Sequence, residues 1–137
     1  MKKLTVIMTC FNRKDYTLRC INSLNETAGL LADWRFNYVV VDDNSTDGTE
    51  DALVELSAAA RTDICVLKGN GNLFYTGGMR KGIEYAKVHY ADSDGYLLAN
   101  DDVRFDSASV SHMIADMDAA VQQKMTMADS VTVEYVM

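Results

Sequence analysis

Asp101 and Asp102 are the residues of this sequence best placed for chemistry, because the pair follows the apolar run at residues 95–99 with only Asn100 between. Side-by-side carboxylates repel unless a cation neutralises them, and a strand end holds them in place for one. A divalent metal (Mn²⁺ or Mg²⁺) bound in this way keeps coordination positions open for phosphate oxygens. The plain alternative is a turn, for which Asn100-Asp101-Asp102 is ordinary composition. Asp42-Asp43 forms a second acidic pair after Val39-Val40-Val41. A carboxylate there can accept a hydrogen bond from a base N–H or a ribose hydroxyl, or it can shape the turn that opens the next helix. A Gly-rich stretch at residues 69–78 ends in Gly77-Gly78, with Arg80 and Lys81 just beyond. It is neither GxGxxG nor a P-loop. Close backbone approach at Gly78, a helix starting at Met79 and two cations suit a diphosphate; a flexible loop with surface charges is the plainer reading.

Four strands must carry these loops. Residues 4–9, 36–41, 64–67 and 95–99 are short apolar or β-branched runs, and a weakly alternating run at 131–136 reads as an edge strand. Helical patterns intervene after Arg13, after Thr49 (with Asp47 or Thr49 as cap), over 79–89 and over 107–117. Strand–helix alternation predicts an α/β fold: an open, mostly parallel sheet with flanking helices. Ligands bind such sheets beyond the carboxyl ends of the strands. Residues 9–13, 42–47, 69–78 and 100–102 all fall there, so four polar loops converge on one edge.

The chain of 137 residues fits one domain, 1–137, and no run of about 18 apolar residues exists to span a bilayer. Polar residues 12–15 break the first apolar run too early for a signal peptide. A cytoplasmic location is expected, with a place at the inner membrane face open. A net charge of −7 argues against nucleic acid as a partner. Cys10, Cys20 and Cys65 read as free thiols, and His89 and His112 as ordinary helix residues. No G-x-S-x-G setting surrounds a serine, so no hydrolase argument arises. The chain stops on a strand-like run and reads as a truncated domain; an unpaired terminal strand there could pair edge to edge in a homodimer.

In chain order, residues 5–13, 39–49, Gly71-Asn72 with 77–82, and 97–103 resemble the family 2 glycosyltransferases, whose N-terminal halves share the GT-A (Rossmann-like nucleotide-diphospho-sugar transferase) architecture. The resemblance covers about residues 4–117; residues 118–137 are not matched to the family. It implies an inverting transfer of sugar from a UDP or dTDP donor to a saccharide or lipid-linked acceptor, in bacterial polysaccharide synthesis. By the same resemblance Thr9 and Phe11 line the nucleoside pocket, Asp43 meets the base with Asp42 beside it, and Arg13 and Arg80 lie near the donor; Gly78 is expected at the nucleotide through its close backbone approach. Asp101 and Asp102 stand for the DxD metal element, with Asp102 the direct ligand. Many relatives carry Asn where Arg80 stands. The acidic general base belongs to the acceptor-binding half, and no match to it occurs in this chain, so the catalytic residue is unknown.

Other classes compete. A receiver domain places its acidic pair after the first strand, whereas here a strand and helix precede it. A nucleotidyltransferase wants a glycine-rich basic loop after the first strand, and residues 9–13 contain no glycine. A non-catalytic nucleotide-binding or assembly module is the third alternative.

Overall fold

The computed structural model describes residues 1–60, 62–127 and 133–136. Strand β1 (Lys2–Cys10) is followed by helix α1 (Lys14–Ala28), β2 (Trp34–Asp42), α2 (Thr49–Ala60) and β3 (Asp63–Lys68). Then come α3 (Phe74–His89), β4 (Gly95–Leu98), α4 (Ser107–Met127) and β5 (Val133–Val136). The strands form one sheet in the order β3-β2-β1-β4-β5, with every pairing parallel. The open α/β sheet expected from the sequence is therefore present. Of the closing run at 131–136, residues 133–136 pair with β4 at the sheet edge, and 131–132 lie outside the described residues.

Side-chain alternation along β1 divides the core. Leu4, Val6 and Met8 pack on one face with Ile21 and Leu24 of α1, Leu53 of α2, and Val110, Ile114 and Met117 of α4. Ile7 packs on the other with Val39 and with Met79 and Ala86 of α3. Both faces are covered, which is why the central strands read as nearly continuous apolar runs.

Strand order determines where a ligand fits. From β1 the chain winds outward through β2 to β3, then crosses to β4 on the opposite side of β1. The winding thus reverses between β1 and β4. At such a switch point the two following loops diverge and leave a crevice at the carboxyl end of the sheet.

Two helices depart from the sequence expectation. Helix α3 begins at Phe74 rather than Met79, so Gly77 and Gly78 are helical and not loop. The Asp43 carboxylate explains the earlier start. It accepts the backbone N–H groups of Leu73 and Phe74, both at 3.1 Å, supplying from a distant loop the cap that the local sequence lacks. The glycines serve packing: a side chain at Gly78 would collide with Thr9, and one at Gly82 would lie 2.7 Å from Ile7 Cγ2. Helix α4 runs to Met127 rather than stopping near Met117, consistent with a stretch free of Gly and Pro.

Candidate functional site

A cavity of about 510 Å³ opens at the switch point and is lined by Thr9, Cys10, Phe11, Arg13, Asp43, Gly71, Phe74, Tyr75 and residues 100–102. Of the residues singled out from the sequence, Thr9, Phe11, Arg13, Asp43, Asp101 and Asp102 come together here. Asp42, Gly78 and Arg80 do not line it. Asp42 is fully buried, and its Oδ1 accepts the Ser45 N–H at 3.0 Å, closing the turn after β2. Its Oδ2 lies 3.6 Å from Lys68 Nζ. Gly78 is buried beneath Thr9, and Arg80 is exposed on the second turn of α3. The cationic helix start expected at Arg80 and Lys81 is absent, since the helix begins earlier and Lys81 Nζ donates to the Lys68 carbonyl at 2.8 Å.

The loops of the site are tied to one another. Asn12, in the left-handed region at φ 51°, donates its N–H to Ser45 Oγ at 2.9 Å and accepts the Thr46 N–H on Oδ1 at 2.8 Å. Asp47 accepts the Lys14 N–H at 3.0 Å, at the start of α1, and the Thr49 N–H at 3.2 Å, at the start of α2. The hydrogen bond from the Thr49 hydroxyl, foremost, holds the Asp47 carboxyl below its ordinary range. The loops after β1 and β2 therefore behave as one unit.

At one end of the cavity lies Asp43, itself buried. Its carboxylate accepts three backbone N–H groups: Gly71 at 2.8 Å, Leu73 and Phe74. A carboxylate has about four lone-pair sites, so capacity remains for one more donor.

At the other end the Arg13 guanidinium sits between Asp101 Oδ1 at 3.6 Å and Asp102 Oδ2 at 3.4 Å. The two carboxylates are not equivalent: the side chain of Asp101 is 10% exposed and that of Asp102 is 51% exposed. Thr17 Oγ1 donates to Asp101 Oδ2 at 3.3 Å. Burial raises the Asp101 carboxyl above its ordinary value, against the attraction of Arg13 and with the help of its neighbour Asp102.

Together the two aspartates offer hard oxygens suited to Mg²⁺ or Mn²⁺. Among the described residues no group of three or more His, Cys, Asp or Glu could hold a metal by itself. The donor set thus fits a cation that takes its remaining ligands from phosphate and water, as Mg²⁺ commonly does. Burial, then the charge of Asp42, pushes the Cys10 thiol up to about 12, so Cys10 is a protonated wall and no nucleophile. All three cysteines are free, as expected. His89 and His112 lie on α3 and α4, where His89 stacks on Tyr85 with ring centroids 4.1 Å apart. No described helix is long and apolar enough to cross a membrane.

Sequence reasoning missed Phe74 and Tyr75. Both were read as part of a glycine-rich loop. The available signal was two adjacent aromatics in a polar stretch that needs no core residues.

The open parallel sheet with flanking helices, and the solved structures it resembles, place the fold in the GT-A class of nucleotide-diphospho-sugar transferases. Residues 5–130 match glycosyl transferase family 2, and the chain belongs to that family. Similar solved structures include S. aureus TarS 1–349, at 25% identity and TM-score 0.64, covering 87% of this chain and 33% of that one. The same protein in complex with UDP-GlcNAc aligns at 22% identity and TM-score 0.66, covering 87% and 32%. The mannosyltransferase PcManGT from Pyrobaculum calidifontis, in complex with GDP-Man and Mn²⁺, aligns at 20% identity and TM-score 0.52, covering 61% and 24%. The chain thus spans a third or less of the length of these proteins. No curated protein matches the sequence comparably.

Proposed function

We propose that this domain binds the nucleoside-diphosphate sugar donor, UDP- or dTDP-linked, of an inverting glycosyl transfer to a saccharide or lipid-linked acceptor hydroxyl in polysaccharide synthesis. The observation that carries this reading is the polarity of the cavity. Asp43, which accepts the Phe74 N–H, follows β2, and the Asp101–Asp102 pair, spanned by Arg13, follows β4 on the opposite side of β1. A nucleotide fits with its base toward Asp43, where one carboxylate lone pair is left for a base N–H. Its diphosphate then reaches the acidic pair, with Thr9 and Phe11 along the nucleoside between them. Asp102, the more exposed carboxylate, is the direct metal ligand, and Asp101 supports it from the buried side.

When bound, the divalent metal neutralises charge on the departing nucleoside diphosphate. Asp101 and Asp102 would hold the metal, and Arg13 beside them would supply a further positive charge for the diphosphate. Asp43 holds the base, fixing where the anomeric carbon lies relative to the acceptor side. That similar folds have been solved in complex with GDP-Man and Mn²⁺ and with UDP-GlcNAc accords with a nucleotide-sugar ligand.

One observation favours a second reading, a donor-binding or assembly module without its own catalysis. The carboxylates lining the cavity are Asp43, Asp101 and Asp102, and each already has an assigned partner or ligand. None is left to take the acceptor proton.

Calorimetry with UDP, dTDP and GDP, each with and without Mn²⁺, tests the reading. At least one should bind in a metal-dependent way, and Asp102→Ala should abolish that dependence. Metal-independent binding of equal strength in both proteins would remove the acidic pair from the site.

A further inference from the structure

We infer that Phe74 is a donor-positioning residue, its ring forming a second aromatic surface for the nucleobase beside Phe11. The inference rests on the donor-site reading above and adds a residue to it. Three described non-glycine residues have positive φ: Asn12 at 51°, Asn44 at 65° and Phe74 at 56°. Asparagine tolerates this region because its short amide bonds locally; a bulky aromatic does not. Phe74 is also 73% exposed, so its ring gains little from burial. For the fold alone glycine would serve better at this position.

A residue both strained and exposed, kept on the wall of a cavity, is accounted for by what the cavity holds. Its position names the part of the ligand. The backbone N–H of Phe74 donates to Asp43 Oδ2, which fixes the residue at the Asp43 end. Arg13, Asp101 and Asp102 mark the other end. Phe11 and Tyr75, 52% and 49% exposed, line the same space. Aromatic faces stack on any base, while the remaining lone pair of Asp43 meets the base edge. One carboxylate therefore does two jobs: it latches the strained turn that presents Phe74, and it faces the base that the ring covers.

The test compares Phe74→Gly, Phe74→Ala and Phe74→Tyr with the wild type, using UDP with Mn²⁺ and UMP without it. Loss of the ring in the Gly and Ala variants should weaken UDP roughly tenfold, and UMP by the same factor, because stacking acts on the base. Phe74→Tyr should bind within about twofold of the wild type. In thermal melts Phe74→Gly should match or exceed the wild type, and should exceed Phe74→Ala by about 3 °C, since only glycine relieves the backbone. Unchanged UDP affinity in Phe74→Gly overturns the inference. So does weakening of UDP without UMP, or a Phe74→Gly protein that melts below the wild type. If wild-type protein binds neither UDP nor UMP, the donor-site reading fails for this nucleotide, and the base assignment made here fails with it; that outcome is distinguishable because the wild type itself is silent.

Discussion

Among the described residues Arg13 pairs with both members of the acidic pair, and its position bears on how a metal would bind there. With its guanidinium 3.6 Å from Asp101 and 3.4 Å from Asp102, Arg13 partly relieves the repulsion between the carboxylates. A metal bound alone would compete with that arginine for the two carboxylates and would find no third protein ligand among the described residues. A metal arriving with a diphosphate brings its own oxygens and offers the arginine a new anion. Arg13→Gln should therefore tighten Mn²⁺ binding to nucleotide-free protein, read by the loss of the free-ion electron paramagnetic resonance signal, while weakening UDP binding. The metal effect should be roughly two- to fivefold, the scale of a partly exposed ion pair. Looser Mn²⁺ binding in the variant would mean that the guanidinium organises the pair rather than competing for it. That Thr9, Phe11, Arg13, Asp43, Asp101 and Asp102 meet was legible in the sequence because each lies at or just beyond the carboxyl end of a strand, and a parallel sheet gathers such positions at one edge. The ion bridge of Arg13 to Asp101 and Asp102 was not, since its partners lie nearly ninety positions away along the chain.

At the scale of elements, the strands and the helix order were readable because hydrophobic periodicity is a local signal. The start of α3 was not. Its cap comes from Asp43, about thirty positions upstream, and glycines that read as loop are instead the surface along which α3 approaches β1. Asp47 presents the same lesson in a testable form. It was expected as a cap for α2, and it also accepts the Lys14 N–H at the start of α1. Removing it uncaps two helices and unties the loops after β1 and β2. Asp47→Ala should thus lose about 1–2 kcal/mol, a fall of roughly 3–6 °C in melting temperature. The pH dependence has a definite sign. The folded-state carboxyl sits below its unfolded value, so its contribution is complete above the ordinary carboxylate range. It is lost as pH falls through the depressed folded value. The gap between wild type and Asp47→Ala should accordingly narrow in strong acid, and a gap independent of pH would assign the loss to packing alone.

For the whole molecule, the winding reversal between β1 and β4 creates the cavity, and the contents of that cavity limit what the domain does alone. Displacement at an anomeric carbon by a hydroxyl needs a base for the acceptor proton, within hydrogen-bond reach of it. Asp43 accepts three backbone N–H groups, and Asp101 and Asp102 pair with Arg13. Cys10 is held protonated at neutral pH by its burial. On the proposed reading, the described cavity would hold and polarise a donor, and its lining carboxylates leave no free base for an acceptor. Incubated with UDP-GlcNAc or GDP-Man and Mn²⁺, the 137-residue chain should bind a donor yet release nucleoside diphosphate no faster than its Asp102→Ala variant. Coupled detection of the released diphosphate checks this. Release well above the variant, with or without an added acceptor, would show that a proton-accepting group works within this chain. Binding without release would locate the second half of the reaction in residues that meet the acceptor outside the described cavity.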